Sequence, residues 1–152
     1  MSHTVNRWHC HPNPRLRNSG DTIDRHQRAV WSLCFDFAHF LKLPDDRRIE
    51  LLFAARHHDE AEKIVGDIPG PAKDRFPALA AAYAKAELEV LNDMGLNWSL
   101  TRREADILHL ADKLDGELWA RKHGVTGAHD CDKLQALADR LGLGDMVMGI
   151  LS

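Results

Sequence analysis

Cysteine is scarce in this sequence and follows no recognisable framework. Cys10, Cys34 and Cys131 are an odd number and lie far apart. They match neither a C-x-x-C nor a zinc-ribbon spacing, so the pattern favours neither a disulfide scaffold nor a cysteine-ligated zinc. We expect reduced thiols, with Cys34 in an apolar run as part of the core.

Long apolar runs and basic clusters are also missing. No apolar stretch approaches the roughly 18 residues needed to cross a bilayer, and the polar beginning of the chain does not resemble a secretory signal. We therefore expect a soluble, cytoplasmic protein without a membrane partner. The formal net charge of -3 does not favour binding of a nucleic-acid polymer, because such binding depends on clustered Lys and Arg. A small anionic substrate remains compatible with this charge if a metal supplies positive charge locally.

The chain has 152 residues, of which 44% are apolar, and this is the size of one globular domain with a core of its own. We expect a single domain over residues 1–152. Residues 1–20 contain Pro12 and Pro14 and end on Asn18-Ser19-Gly20, which predicts an irregular arm.

Helical periodicity dominates the rest of the chain. Apolar residues recur at three- and four-residue steps from Asp21 to about Leu41, and Asp21 or Thr22 can cap this helix. Two prolines and two glycines in residues 66–71 oppose a helix and predict a loop. No segment shows period-two alternation, so we predict an all-α fold with helices around one core. The other predicted helices cover about 45–59, 76–94, 101–122, 131–142 and 144–151.

Ten histidines are many for this length and hint at metal or acid–base chemistry. His58 and Asp59 stand at the end of an apolar helix, where both side chains can turn toward one cation. His26 lies beside the first apolar stripe, and Asp112 is a polar residue within an apolar helical face; each needs a partner if it is buried. Taken singly, these residues are compatible with caps or structural roles, and only their combination is informative.

The order His26, His58-Asp59 and Asp112 resembles the motif of the HD-domain metal-dependent phosphohydrolases. The run from His57 to Lys73, HHDEAEKIVGDIPGPAK, is similar to the bacterial 5'-deoxynucleotidase branch of that superfamily, where HD-x-x-E-x-x-x-x-D-I-P-x-P-x-K is typical. Arg7-Trp8 and the segment from Asp21 to His26 match further features of the branch. The similarity spans about residues 7 to 122.

This resemblance implies an HD-domain helical bundle and a set of site residues to which the arm contributes. The implied ligands of a divalent metal are His26, His58, Asp59 and Asp112, and Glu62 and Asp67 are implied at the reacting phosphate. Mixed imidazole and carboxylate ligands fit Mn, Fe, Co, Ni, Zn or Mg without deciding among them. The candidate substrate contacts are Arg7 for phosphate, Trp8 for the base or sugar, His57, and Lys73 with Lys113 as further phosphate ligands.

The function implied by the resemblance is hydrolysis of a deoxynucleoside 5'-monophosphate to nucleoside and phosphate. Two alternatives stay open. One is a deoxynucleoside triphosphate triphosphohydrolase of the viral dATP type, which cuts at the same phosphorus and releases triphosphate. The other is a non-catalytic nucleotide-binding regulatory module, although pure binding would not need both Glu62 and Asp67. The resemblance also implies a homo-oligomer, and the unusual run Trp8-His9-Cys10-His11-Pro12 suggests that base or sugar contacts differ from those of the family.

Overall fold

The computed structural model describes residues 5–152, and its regular structure in this range consists of helices together with one isolated bridge between Asn6 and Thr22. This confirms the all-α prediction. The nine helices of residues 5–152 are α1 (Pro14–Arg17), α2 (Ile23–Phe40), α3 (Asp45–His57), α4 (Glu62–Val65), α5 (Gly70–Arg75), α6 (Pro77–Asp93), α7 (Arg102–Lys122), α8 (Cys131–Leu141) and α9 (Gly144–Leu151).

Side-chain caps fix where the long helices begin. The Thr22 side chain accepts a hydrogen bond from the backbone N–H of Arg25 at 3.1 Å, so Thr22, rather than Asp21, caps α2. Thr101 and Glu104 form a reciprocal capping box at the start of α7. These caps satisfy backbone donors that have no partner within the helix.

The core lies where α2, α3 and α7 pack together, with α8 packed against α7 and α9 packed against α8. Phe37, Leu51 and Leu110 contribute fully buried side chains from the three central helices. Cys34 is also buried, as expected, and burial raises the pKa of its thiol to about 12, so the thiol stays protonated.

Within residues 5–152, no helix is both long and apolar enough to cross a membrane.

Two segments differ from the sequence-based expectations. The predicted loop over 66–71 ends early, because α5 begins at Gly70 and Pro71 occupies its first turn, where a proline's missing N–H is not needed. The arm is likewise not irregular throughout, since Asn13 caps the short helix α1. Gly66 has φ +74° and ψ -176°, a region open almost only to glycine, and it redirects the chain between α4 and α5.

Candidate metal and substrate site

Four side chains from the three core helices converge on one point. His26 lies on α2, Asp112 lies on α7, and His58 and Asp59 follow directly after the last residue of α3. One donor atom from each of the four lies within 4.8 Å of the others, a grouping that can hold a metal ion. The packing of α2, α3 and α7 therefore assembles the predicted ligand set.

A carboxylate on the Nδ1 side of the ring fixes the orientation of His26. Its side chain is fully buried, and its Nδ1 lies 2.6 Å from a carboxylate oxygen of Asp115. When Nδ1 donates its proton to this carboxylate, Nε2 is the nitrogen that faces the group, 2.8 Å from Asp112 and 3.4 Å from Asp59. A carboxylate behind an imidazole is the usual arrangement at histidine metal ligands, because it fixes the tautomer and raises the basicity of the ring.

One ring nitrogen of His58 is buried beside two carboxylates and has no hydrogen-bond partner. Its Nδ1 lies 2.8 Å from the backbone carbonyl of Ala55, which can only accept, so Nδ1 carries the proton. Its Nε2 is buried without a hydrogen-bond partner and stands 3.4 Å from Asp59 and 3.6 Å from Asp112. Burial by itself lowers the pKa of His58, but the two carboxylates outweigh it and raise the pKa to about 9. Negative potential around a buried, unpartnered nitrogen is the environment that a divalent cation would satisfy.

The Asp112 carboxylate of the group remains charged. Burial by itself raises the pKa of Asp112, but the imidazole of His26 at 2.8 Å, the nearby ring of His58 and the charge of Lys113 hold it well below its usual range. Two imidazole nitrogens and two carboxylate oxygens form a mixed donor set that suits first-row transition metals better than calcium, which prefers oxygen ligands alone. The donor set and the unpartnered Nε2 of His58 therefore both fit a divalent metal.

Glu62 and Asp67 stand beside this group. The backbone N–H of Glu62 bonds to the carbonyl of Asp59 at 3.0 Å, which places Glu62 at the next turn of the chain. Burial, followed by the charges of Asp59 and Asp67, raises the pKa of Glu62 to about 9. The Tyr83 hydroxyl of α6 donates to the Gly66 carbonyl and ties down the segment that precedes Asp67.

A cleft of about 630 Å³ opens over the group. Its walls come from the arm, from the segment between α3 and α5, from α7, and from the segment before α8. Predicted residues that line it are Arg7, Trp8, Asp59, Glu62, Asp67, Lys73, Asp112 and Lys113.

The arm is held against the cleft by Asp21. This fully buried carboxylate accepts from the Arg7 guanidinium at 2.8 Å, from Trp8 Nε1 at 3.0 Å and from Arg25 Nε at 2.5 Å. Trp8 has φ +65°, a conformation that is costly for a bulky residue and persists where surrounding contacts enforce it. Side-chain bonds to Asp21 thus position Arg7 and Trp8 at the cleft, in addition to the backbone bridge between Asn6 and Thr22.

The structure does not bring every predicted residue to the cleft. The His57 ring packs against Phe53, with ring centroids 4.7 Å apart, and His57 is not among the cleft-lining residues of the described range. Asp115, Asp21 and His129 contact the site or line the cleft, yet the sequence analysis assigned none of them to it. The three-residue spacing of Asp112 and Asp115 on one helix could have indicated Asp115, whereas His129 carries no such signal.

Comparisons with known proteins support the fold. No protein-family model matches the chain, and no curated protein sequence matches it. A solved structure of the cyanophage S-2L HD phosphohydrolase (DatZ), bound to dA and one catalytic Zn²⁺ ion, is similar with a TM-score of 0.59 and 23% identity. The match covers 84% of this chain and 79% of that chain. The predicted HD-type helical fold is therefore confirmed.

Proposed function

We propose that this protein is a metal-dependent phosphohydrolase of deoxynucleotides, with deoxynucleoside 5'-monophosphates as its substrates. The observation that carries the proposal is the buried, unpartnered Nε2 of His58, which faces two carboxylates at the base of a cleft. The similar HD phosphohydrolase is bound to dA and one catalytic Zn²⁺ ion, which supports both the metal and the nucleoside part of the substrate.

In this proposal His26, His58, Asp59 and Asp112 would hold a divalent cation, which is Mn, Co, Mg, Zn, Fe or Ni. A cation bound there polarises the phosphoryl group and lowers the pKa of water. Asp115 and the Ala55 carbonyl hold the two imidazoles in the tautomer that leaves Nε2 free to bind.

In the proposed reaction, one of the two carboxyl groups of Glu62 and Asp67 donates a proton and the other accepts one. As water attacks the phosphorus, the bond from phosphorus to the ribose 5'-oxygen breaks, and this oxygen takes a proton. The raised pKa of the partly buried Glu62 favours it as the proton donor, and Asp67 then orients the water and accepts its proton. The products are a deoxynucleoside and inorganic phosphate.

Cationic side chains of the cleft complement the phosphate. Arg7, Lys73 and Lys113 line the cleft, and Lys113 Nζ lies 3.4 Å from an Asp112 oxygen. Arg7 is already oriented by its bond to Asp21, so less side-chain entropy is lost when its remaining donors bind a phosphate oxygen. Trp8 offers an aromatic surface to the nucleoside.

The test is a panel of deoxynucleoside mono- and triphosphates, with matching ribonucleotides, assayed with each of the six metals. We expect inorganic phosphate from the deoxynucleoside monophosphates. His58→Ala should abolish turnover, whereas His39→Ala, which alters an exposed histidine of α2, should leave it unchanged.

Two results would overturn this assignment. Release of triphosphate from deoxynucleoside triphosphates, without cleavage of monophosphates, would make the protein a triphosphohydrolase. Nucleotide binding without any turnover in the metal-loaded protein would make it a binding module.

A further inference from the structure

His129 lies in the segment between α7 and α8 and lines the cleft together with Asp112 and Lys113. It is distant in sequence from every motif that the resemblance covers. Neither metal binding nor the proton transfers proposed above require it, so its place on the cleft wall needs another explanation.

The missing side chain of Gly116 allows the His129 ring to lie at the cleft wall. A Cβ atom at Gly116 would lie 2.6 Å from Nε2 of His129, 3.1 Å from its Cδ2 and 3.7 Å from the Trp8 ring. The imidazole therefore occupies the space that a side chain on α7 would fill. Gly116 follows the proposed ligand Asp112 by one helical turn, about 6 Å along the axis, so His129 lies one step beyond the metal group on the same helix face.

A buried carboxylate holds the segment that carries this histidine. Glu117 is fully buried and accepts from the backbone N–H of His129 at 3.0 Å and of Gly127 at 3.3 Å. Arg121 bonds to the same carboxylate at 3.0 Å. Burial by itself raises the pKa of Glu117, but these bonds lower it below its ordinary value, so the carboxylate stays charged and the segment stays anchored.

The chemical character of this wall suits a nucleoside rather than a phosphate. Burial and the charge of Lys113 lower the pKa of His129 to about 4, so its ring is neutral at pH 7. The ring adjoins Trp8, with centroids 6.3 Å apart, and Trp8 also contacts the His11 ring in a T-shaped arrangement, with centroids 5.5 Å apart. His129, Trp8 and His11 thus form a row of rings on the cleft wall, and the Arg7 guanidinium lies over the Trp8 ring, 5.1 Å from its centroid.

We infer that His129 is a specificity-determining residue that, together with Trp8, contacts the nucleoside moiety of the substrate. If the phosphate of the substrate binds at the metal group, the attached sugar would lie about one turn of α7 away from it. This is where the missing side chain of Gly116 leaves room for the His129 ring. This inference rests on the proposed function and adds to it a residue that selects for the nucleoside.

The experiment compares His129→Ala with His109→Ala, which changes an exposed histidine of α7. We expect His129→Ala to raise KM for deoxynucleoside monophosphates about tenfold, as loss of one aromatic stacking contact does, with a much smaller change in kcat. Its effect on hydrolysis of a simple aryl phosphate, which has no nucleoside, should be several-fold smaller. Equal losses on both substrates, or an unchanged KM for the nucleotide, would overturn the inference.

Gly116→Ala supplies an independent arm of the test, because alanine favours the helix while its methyl group displaces His129. We expect it to raise KM as His129→Ala does, and the double variant to be no worse than His129→Ala alone. Fully additive effects would show that Gly116 does not act through His129. Binding of a free deoxynucleoside to the manganese-loaded protein, measured by calorimetry, tests the same contact even if no phosphate is released, so failure of the proposed function remains distinguishable.

Discussion

At the scale of single residues, the proposed metal group depends on side chains that do not themselves belong to it. Asp115 shows this most directly, because it contacts both the His26 imidazole at 2.6 Å and the Arg25 guanidinium at 2.6 Å. Burial by itself raises the pKa of Asp115, but its bonds to His26 and Arg25 lower it, so it remains an acceptor for the His26 proton. The proposed ligand His26 is therefore oriented by a charge network that reaches across α2 and α7.

Asp115→Asn tests this orienting role. The amide is a weaker acceptor, and its NH₂ group can compete for Nδ1, so we expect metal affinity to fall about 10- to 100-fold, as is usual when the partner of a histidine ligand is altered. Calorimetric titration with Zn²⁺ or Mn²⁺ measures this. Asp132→Asn, at an exposed position on α8, is the control, and unchanged affinity in Asp115→Asn would remove Asp115 from the site.

Glu62→Gln separates metal binding from proton transfer. The substitution keeps the size of the side chain and removes its titrating proton, so we expect metal affinity to stay within a few-fold of the original and kcat to fall about 100-fold or more. Steady-state kinetics and metal titration on the same sample provide both values. Glu89→Gln on the exposed face of α6 is the matched control, and retention of full activity in Glu62→Gln would contradict a catalytic role.

At the scale of elements, the arm is attached to the helices mainly through one buried charge. Asp21 binds two residues of the arm, Arg7 and Trp8, and also Arg25 on α2. The backbone adds a bond from Arg7 N–H to the Asp21 carbonyl at 2.8 Å and one from Ile23 N–H to the Val5 carbonyl at 3.0 Å. The side chains of Arg7 and Trp8 are therefore held at the cleft by one carboxylate, while the backbone of the arm is held by these two bonds.

Asp21→Asn should loosen this attachment. It leaves buried donors of Arg7 and Arg25 with a weaker partner, so we expect a loss of about 1 to 3 kcal/mol in the free energy of unfolding, together with a higher KM for nucleotides. Urea denaturation and kinetics measure the two effects. Asp45→Asn breaks an exposed ion pair with Arg48, in which the aspartate side chain is 84% exposed, and it should cost close to nothing. Equal stability of the two variants would show that the arm does not depend on Asp21.

At the scale of the whole molecule, the metal group connects the three helices that form the core. His26 and Asp112 belong to α2 and α7, and the segment after α3 is tied to α2 because Gln27 accepts from the Asp59 N–H at 2.9 Å and donates to Glu60 at 2.7 Å. A cation bound at this junction would contact all three helices. The expected single domain, cytoplasmic location and self-association stay predictions.

Metal should therefore stabilise the fold as a whole. A ligand that binds only the folded state at one hundred times its Kd adds about 2.7 kcal/mol, which for a chain of this length corresponds to a rise in Tm of about 5 to 10 °C. Thermal denaturation with Zn²⁺ or Mn²⁺, and again after EDTA, measures this shift. The metal-induced rise in Tm should be absent from His58→Ala and unchanged in His39→Ala. If the rise persists in His58→Ala, the metal binds elsewhere.

Several features of this protein followed from the sequence because they depend on local chemistry. Apolar spacing predicted the long helices, and it placed Cys34 in the core, where it is buried. The proline and glycine content of residues 66–71 predicted a break between helices, although a proline in the first turn allowed α5 to begin earlier than expected. The order of His26, His58-Asp59 and Asp112 indicated one metal group, since the resemblance supplied the pairing that spacing alone does not.

Only the tertiary structure decided which distant residues meet. Asp115 behind His26, Asp21 beneath the arm and His129 against Gly116 are contacts between segments far apart in sequence, and they depend on how helices cross and where loops are anchored. His57 ends α3 and its ring lies against Phe53 one turn earlier on the same helix, whereas His58, the next residue, contributes to the proposed metal group. Sequence patterns report the period of a helix, whereas the direction of a side chain at a helix end depends on the packing around it.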